Sequence, residues 1–133
     1  MKTATVKELN KSLNDALLNN CVDGLIGFDT SFQVVAWNKI MELHYGITRL
    51  QALSMSIFKA FPEFDEEDDK QILEQVLEGG SVYLKERKYK YRNGFFEVHI
   101  TPIFNSKNRI VGGLATLNDI TEVKEMLEKL RQQ

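Results

Sequence analysis

An amphipathic helix is predicted near the start of the chain, over residues 6–19. Three apolar residues there recur at steps of three and four: Val6, Leu9 and Leu13. Thr5 precedes Glu8 by three residues, the spacing of an N-terminal capping box. The apolar stripe can cover one face of the domain's own sheet, or it can pair with a second copy of the chain. Both alternatives stay open at this stage.

The last stretch of the chain changes from strand-like to helical patterning. Residues 110–117 predict a strand, and Asp119 with Glu122 three residues later predicts a capping box at a helix start. Four apolar residues of this helix follow at steps of three and four: Ile120, Val123, Leu127 and Leu130. Charged residues cover the other faces, so this narrow stripe is expected to pair with a copy of itself as the start of a coiled coil.

The middle of the chain carries the remaining strands of a predicted five-stranded sheet. Segments rich in β-branched and aromatic residues, or with alternating polarity, predict strands at 24–28, 32–37, 81–91 and 95–104. Asn93-Gly94 predicts a hairpin between the last two of these. The predicted fold class is therefore α+β, an antiparallel sheet with the other helices grouped in mid-chain.

Three short helices are expected between the second and third strands. Asn38 is placed to cap a helix over 39–45, and Gly46 to close it. A helical turn around Ile57 stops before Pro62. A third helix opens with the acidic run 63–69, whose carboxylates complement the helix dipole; a divalent-cation site is the alternative interpretation of this run.

Composition and charge exclude several classes of protein. A chain of 133 residues is expected to form one domain, and its net charge of −2 argues against nucleic-acid binding. Cys21 is the only cysteine, so neither an internal disulfide nor a cysteine-based zinc site is possible. No apolar run reaches the length of a membrane span and no signal-peptide core is present, so a cytoplasmic location is expected.

Several short segments, taken in order, resemble those of PAS domains, the sensory modules of bacterial histidine kinases and related signalling proteins. The matching segments are 23–29, 35–39, 45–48, 56–58, 61–63, 102–104 and 119–122. The last of these, Asp119-Ile120-Thr121-Glu122, is similar to the family's terminal D-I-T-E signature. The resemblance divides the chain into an N-terminal helix over 1–19, a core over 20–120 and the start of a signalling helix over 121–133.

The resemblance implies a cavity between the sheet and the mid-chain helices. Matching parity across the strands predicts an inward-facing set: Ile26, Phe28, Phe96, Val98, Ile100, Ala115 and Leu117. Four more residues are expected to approach from the helices: Met41, Ile57, Phe58 and Phe61. Nearly all are apolar, which favours a plain packed core for most of them, with a small apolar ligand as the alternative. Asp119, Ile120 and Thr121 are the predicted relay to the output helix.

No cofactor can be named from the sequence. Flavin-binding relatives carry a reactive cysteine where this chain has Ile57, and haem-binding relatives supply a histidine from the helix that corresponds to 66–78, which has none. His44 shares a helical stripe with Ile40 and Ile47. It is expected to be partly buried at the cavity mouth, as a satisfied polar residue or as a contact for a small acidic or carbonyl ligand or an atypical haem.

Two functions follow as hypotheses. The first is a sensory and dimerisation module without catalytic activity of its own, which relays the state of its cavity or dimer to a coiled-coil output helix and an attached effector domain. The second is a small ligand carrier or enzyme that uses the same cavity. No nucleophile, base and charge partner stand together in the sequence, which favours the first.

Overall fold

The computed structural model describes residues 5–19 and 23–132, and the side chains of all of these except 16–19. Cys21 therefore lies outside the described residues. The helices are α1 (Val6–Asn19), α2 (Lys39–Tyr45), α3 (Arg49–Ala52), α4 (Ile57–Ala60), α5 (Glu66–Leu77) and α6 (Thr121–Arg131). The strands are β1 (Gly24–Asp29), β2 (Val34–Trp37), β3 (Val82–Lys88), β4 (Phe95–Phe104) and β5 (Ile110–Asp119).

The five strands form one antiparallel sheet in the order β2-β1-β5-β4-β3. The last strand, β5, is therefore the central one. Its Ala115 lies opposite Ile26 of β1 on one side and Ile100 of β4 on the other. This sheet, with helices grouped between β2 and β3, confirms the predicted α+β fold class.

The core lies between one face of the sheet and the mid-chain helices. Trp37 is fully buried, and its indole N–H donates to the carbonyl of Ile47 at 2.9 Å, so the one polar atom of this ring is satisfied. Asn38 is also buried; its amide oxygen accepts from the backbone N–H of Met41 and of Leu25. The predicted cap of α2 thus also ties this helix to β1.

Two details between β1 and α4 differ from the sequence prediction. β2 begins at Val34 rather than at residue 32, because Phe32 closes a turn with φ of 64° and donates its N–H to the carbonyl of Asp29. Thr48 and Gln51 form a capping box at the start of α3, a short helix that is not among those predicted from the sequence.

The hairpin between β3 and β4 is present, but its loop is longer than a tight Asn-Gly turn. β3 ends at Lys88 instead of residue 91, and the loop covers 89–94. Tyr89 turns inward and is buried, and this leaves Gly94 to close the loop with φ of 119°.

An ion pair joins α5 to β3. The guanidinium of Arg87 donates to both carboxylate oxygens of Asp69, at 3.1 and 3.2 Å. Asp69 also accepts from the backbone N–H of Asp65 at 2.7 Å, and its side chain is only 6% exposed. The acidic start of α5 therefore does more than complement the helix dipole, since it fixes the helix on the sheet.

Candidate functional site

The residues predicted to line a cavity lie together between the sheet and the helices. All are buried except Phe58, which is partly buried. Phe61 makes edge-to-face contacts with Tyr45, Phe64 and Phe96, at centroid distances of 5.2, 5.0 and 6.1 Å. These are the contacts of a packed aromatic core. A ligand cavity within this set stays a prediction.

The predicted orientation of His44 is wrong. The side chain is exposed, and the residues that α2 turns inward are Met41, which is buried, and Tyr45, which is partly buried. Met41 and Tyr45 are four residues apart, so they lie on the same face of this seven-residue helix. His44 stands beside that face, at the rim of a surface pocket.

This pocket, termed here the junction pocket, has a volume of about 220 Å³ and opens to solvent where β1 begins and β5 ends. Four parts of the chain contribute to it: the start of β1, the end of β5, α2 and the β3–β4 loop. Its lining consists of Asp23, Gly24, Ile40, Met41, His44, Tyr45, Tyr89, Arg92, Leu117, Asn118 and Asp119. Of the predicted site residues it brings together Met41, His44, Leu117 and Asp119.

Arg92 lies over two aromatic rings of the junction pocket. Its guanidinium carbon is 4.2 Å from the ring centroid of Tyr89 and 5.2 Å from that of Tyr45. A nitrogen of the same group is 3.9 Å from a carboxylate oxygen of Asp119. The Tyr89 hydroxyl donates to that oxygen at 2.8 Å. A cation, an anion and two phenols therefore share one cluster.

The environment shifts the pKa of both tyrosines and of Asp119. Burial raises the pKa of Tyr45 to about 12 despite the opposing charge of Arg92. Burial and the hydrogen bond to Asp119 raise the pKa of Tyr89 as well. Burial would also raise the pKa of Asp119, but hydrogen bonds from Thr121 and Tyr89 and the charge of Arg92 outweigh it and lower this pKa. At neutral pH the phenols are protonated and the carboxylate is ionised.

Asp119, Ile120 and Thr121 form the junction between β5 and α6. The predicted capping box of Asp119 and Glu122 is wrong: Asp119 is the last residue of β5, and its carboxylate accepts from the backbone N–H of Thr121 at 2.9 Å. The helix begins at Thr121 because Ile120 still bonds to β4, donating its N–H to the carbonyl of Phe95. The strand ladder therefore continues to the residue before the helix.

Thr121 anchors the base of α6 on β4. Its hydroxyl accepts from the backbone N–H of Phe95 at 3.0 Å and lies 3.3 Å from the carbonyl of the same residue. A side chain on Gly94 would collide with this hydroxyl. One turn further along, the ammonium of Lys124 lies 3.5 Å from the ring centroid of Phe95 and 3.1 Å from a carboxylate oxygen of Glu86.

The apolar stripes of both end helices are exposed. Val123, Leu127 and Leu130 of α6 are 60%, 53% and 61% exposed. The stripe of α1 is equally open, with Val6, Leu9 and Leu13 at 75%, 62% and 53%. Neither stripe covers the domain's own core, so the alternative in which α1 packs on its own sheet is not the arrangement seen.

The sheet order, the central last strand and the junction that leads into an exposed helix define the class of protein, a PAS-type α+β domain. A family model described as "PAS fold" matches residues 18–125. The chain belongs to this family. A search of the curated proteins returned no match.

Solved structures show the same fold. The PAS domain of BvgS from Bordetella pertussis superposes with a TM-score of 0.69 at 19% identity, over 92% of this chain and 95% of that one. A PAS domain from Colwellia psychrerythraea gives 0.62 at 21%, over 86% and 98%. A sensory box sensor histidine kinase from Vibrio cholerae gives 0.62 at 16%, over 85% and 94%.

Three polar residues of the junction pocket were not predicted from the sequence: Asp23, Tyr89 and Arg92. Tyr89 falls within the strand predicted over 81–91, and Arg92 follows that strand directly. Asp23 stands just before the strand predicted to begin at residue 24. The one available signal was the hairpin glycine, Gly94, which requires a break in the strand shortly before it.

Among residues 5–19 and 23–132, no helix is both long enough and apolar enough to cross a membrane.

The raised pKa of Tyr45 is expected to make the free energy of unfolding fall at alkaline pH. In the unfolded chain a tyrosine loses its proton near pH 10, whereas Tyr45 in the folded chain holds it to about pH 12. Between these pH values the unfolded state binds fewer protons than the folded state. The contribution of Tyr45 to the free energy of unfolding is therefore complete below pH 10 and is lost as pH rises through 12. Urea midpoints measured between pH 9 and about 12 are expected to fall less steeply in Tyr45→Phe than in the parent.

The control for this measurement is Tyr91→Phe, since Tyr91 is 72% exposed. That variant is expected to follow the parent chain at every pH. Parallel curves for Tyr45→Phe and the parent would show that the Tyr45 hydroxyl does not have the assigned pKa.

Proposed function

We propose that this chain is the sensory and dimerisation module of a signal-transduction protein. It passes the state of its interior or of its dimer through β5 to a paired output helix. One observation carries the proposal: the central strand of the sheet runs through a hydrogen-bonded junction into a helix whose apolar stripe is open to solvent. Because β5 contacts both β1 and β4, a change in either half of the sheet reaches the base of α6.

The proposed roles of the segments follow the boundaries predicted from the sequence. Residues 20–120 sense, 1–19 take part in dimerisation, and 121–133 begin the output helix that leads to an effector domain. The sensor histidine kinase whose structure resembles this chain supports such an attachment. A shift between two packings of paired helices needs only a few kcal/mol of differential binding.

Cysteine cross-linking tests pairing and relay together. In a Cys21→Ser background, Leu127→Cys is expected to form an interchain disulfide quickly, because it lies on the stripe that pairs. Glu125→Cys, on the opposite face of the same helix, is the matched control and is expected to react slowly. Asp119→Asn removes the charge at the junction and is expected to change the ratio of the two rates without unfolding the domain.

Equal rates at Leu127→Cys and Glu125→Cys, or a monomer in sedimentation equilibrium at high concentration, would contradict the pairing of α6. An unchanged ratio in Asp119→Asn, with pairing intact, would contradict the relay through the junction. The two parts of the proposed function therefore fail separately.

A further inference from the structure

We infer that the junction pocket is a binding site for a small organic ammonium ion. The site opens at the surface beside the apolar interior that the family resemblance predicts as a cavity, and it shares only Met41, Leu117 and His44 at the rim with that predicted set. Only its effect on α6 rests on the proposed function; binding itself rests on the chemistry of the pocket. Four arguments support it: the charge of the lining, the aromatic surfaces, the apolar floor and the location of Asp119.

The lining is more acidic than basic. Two acidic residues, Asp23 and Asp119, belong to the lining, against the guanidinium of Arg92 and the imidazole of His44 at the rim. The pKa of Asp119 is lowered, so this carboxylate stays charged at neutral pH. An entering anion would be repelled by two carboxylates and would meet a guanidinium that is already engaged. An entering ammonium would be attracted, because the carboxylates outnumber the guanidinium.

The aromatic surfaces of the pocket already hold a cation. The guanidinium of Arg92 lies over the rings of Tyr89 and Tyr45 and beside Asp119. This internal group stands where a ligand's ammonium would stand, since phenol faces and a carboxylate attract both in the same way. Arg92 comes from the β3–β4 loop, its side chain is 35% exposed, and it approaches Asp119 only to 3.9 Å. A ligand can therefore displace it.

The floor of the pocket is apolar. Met41 and Leu117 are both almost fully buried, and Gly24 between them has no side chain, because a Cβ there would collide with the Met41 sulfur. A volume of about 220 Å³ equals that of roughly seven water molecules in the liquid, enough for an aryl or short alkyl group. The site thus fits an amine with a compact apolar body.

The location of Asp119 gives the site a consequence. The same carboxylate that faces the pocket accepts from Thr121 at the first residue of α6. A ligand ammonium that draws Asp119 toward the pocket would compete with this hydrogen bond. Three groups with shifted pKa values, Tyr45, Tyr89 and Asp119, line the pocket, and such clustering is typical of functional sites.

Nuclear magnetic resonance titration of the intact chain tests the site with three probes of similar shape: phenethylammonium, the anion 3-phenylpropionate and the neutral 3-phenylpropan-1-ol. Phenethylammonium, added to about 10 mM, is expected to give saturable shifts of the backbone amides of Gly24, Asn118 and Thr121. The anion is expected to give none, and the alcohol to bind about tenfold more weakly than the amine.

Variants separate this site from a merely apolar surface. Asp23→Asn is expected to weaken phenethylammonium about tenfold, whereas Arg92→Gln removes the competing cation and is expected to tighten it about tenfold. Arg109→Gln, an exposed residue outside the pocket, is the matched control and should leave affinity unchanged. Weaker binding in Arg92→Gln, preference for the anion, or no saturable shift with the amine would overturn the inference.

Cross-linking at Leu127→Cys, repeated with and without phenethylammonium, keeps the two proposals apart. Saturable shifts at the pocket together with an altered cross-linking rate support both the site and its effect on α6. Saturable shifts with an unaltered rate support the site and contradict its coupling to the helix.

Discussion

Replacing Phe61 by alanine is expected to lower the free energy of unfolding by about 3–5 kcal/mol, the range for a large aromatic removed from a core. Phe61 is fully buried and contacts the rings of Tyr45, Phe64 and Phe96. Because a domain of this size has roughly 5–15 kcal/mol in total, the variant will unfold at much lower urea concentration. Urea denaturation followed by circular dichroism measures the change.

Phe104→Ala is the matched control for Phe61→Ala. Phe104 is 51% exposed at the end of β4, and its loss is expected to change stability by less than about 1 kcal/mol. A cavity left by Phe61→Ala would be lined by apolar groups and is expected to take up benzene, which restores part of the stability. Equal effects of the two substitutions would show that Phe61 does not hold the helices to the sheet.

Replacing Arg87 by methionine is expected to destabilise the domain by about 2–4 kcal/mol, because it leaves Asp69 charged and buried without its cation. Asp69 is 6% exposed and Arg87 24%, so the expected loss lies below that for a fully buried pair. The methionine keeps most of the volume of the side chain, which separates the loss of charge from a loss of packing over Phe64. The urea midpoint again gives the change.

Lys85→Met on the same strand provides the comparison. Lys85 is exposed, so its replacement is expected to have little effect on stability. High salt should reduce the difference between the two variants only slightly, since the Asp69 carboxylate is shielded from solvent. A loss in Arg87→Met no larger than that in Lys85→Met would mean that the pair contributes no net stability.

Local signals predicted most of the fold. The predicted bounds of α1 and α2 agree with the structure because capping residues mark each helix in the sequence: Thr5 with Glu8, and Asn38 with Gly46. The inward set of β4 and β5 agrees because the alternation of a strand leaves no other choice of face. In each case the deciding interaction lies within a few residues along the chain.

The differences arise where distant contacts decide. Phe32 leaves strand geometry to place its ring near those of Phe28 and Phe58, at centroid distances of 6.4 and 5.7 Å. Tyr89 leaves β3 because Asp119, thirty residues away, offers its hydroxyl an acceptor. A stripe of Ile40, His44 and Ile47 looked apolar enough to face inward, but Asn38 fixes the phase of α2 through β1 and turns His44 outward.

The junction between β5 and α6 is one residue long, and this has a consequence for chimaeric sensors. Ile120 is hydrogen-bonded to β4 and Thr121 is already helical, so no flexible linker separates the sheet from α6. Every residue inserted after Thr121 would turn a fused domain by about 100° about the helix axis. Chimaeras joined to this chain are therefore expected to work only at fusion points spaced by whole heptads, with activity rising and falling periodically as linker length changes.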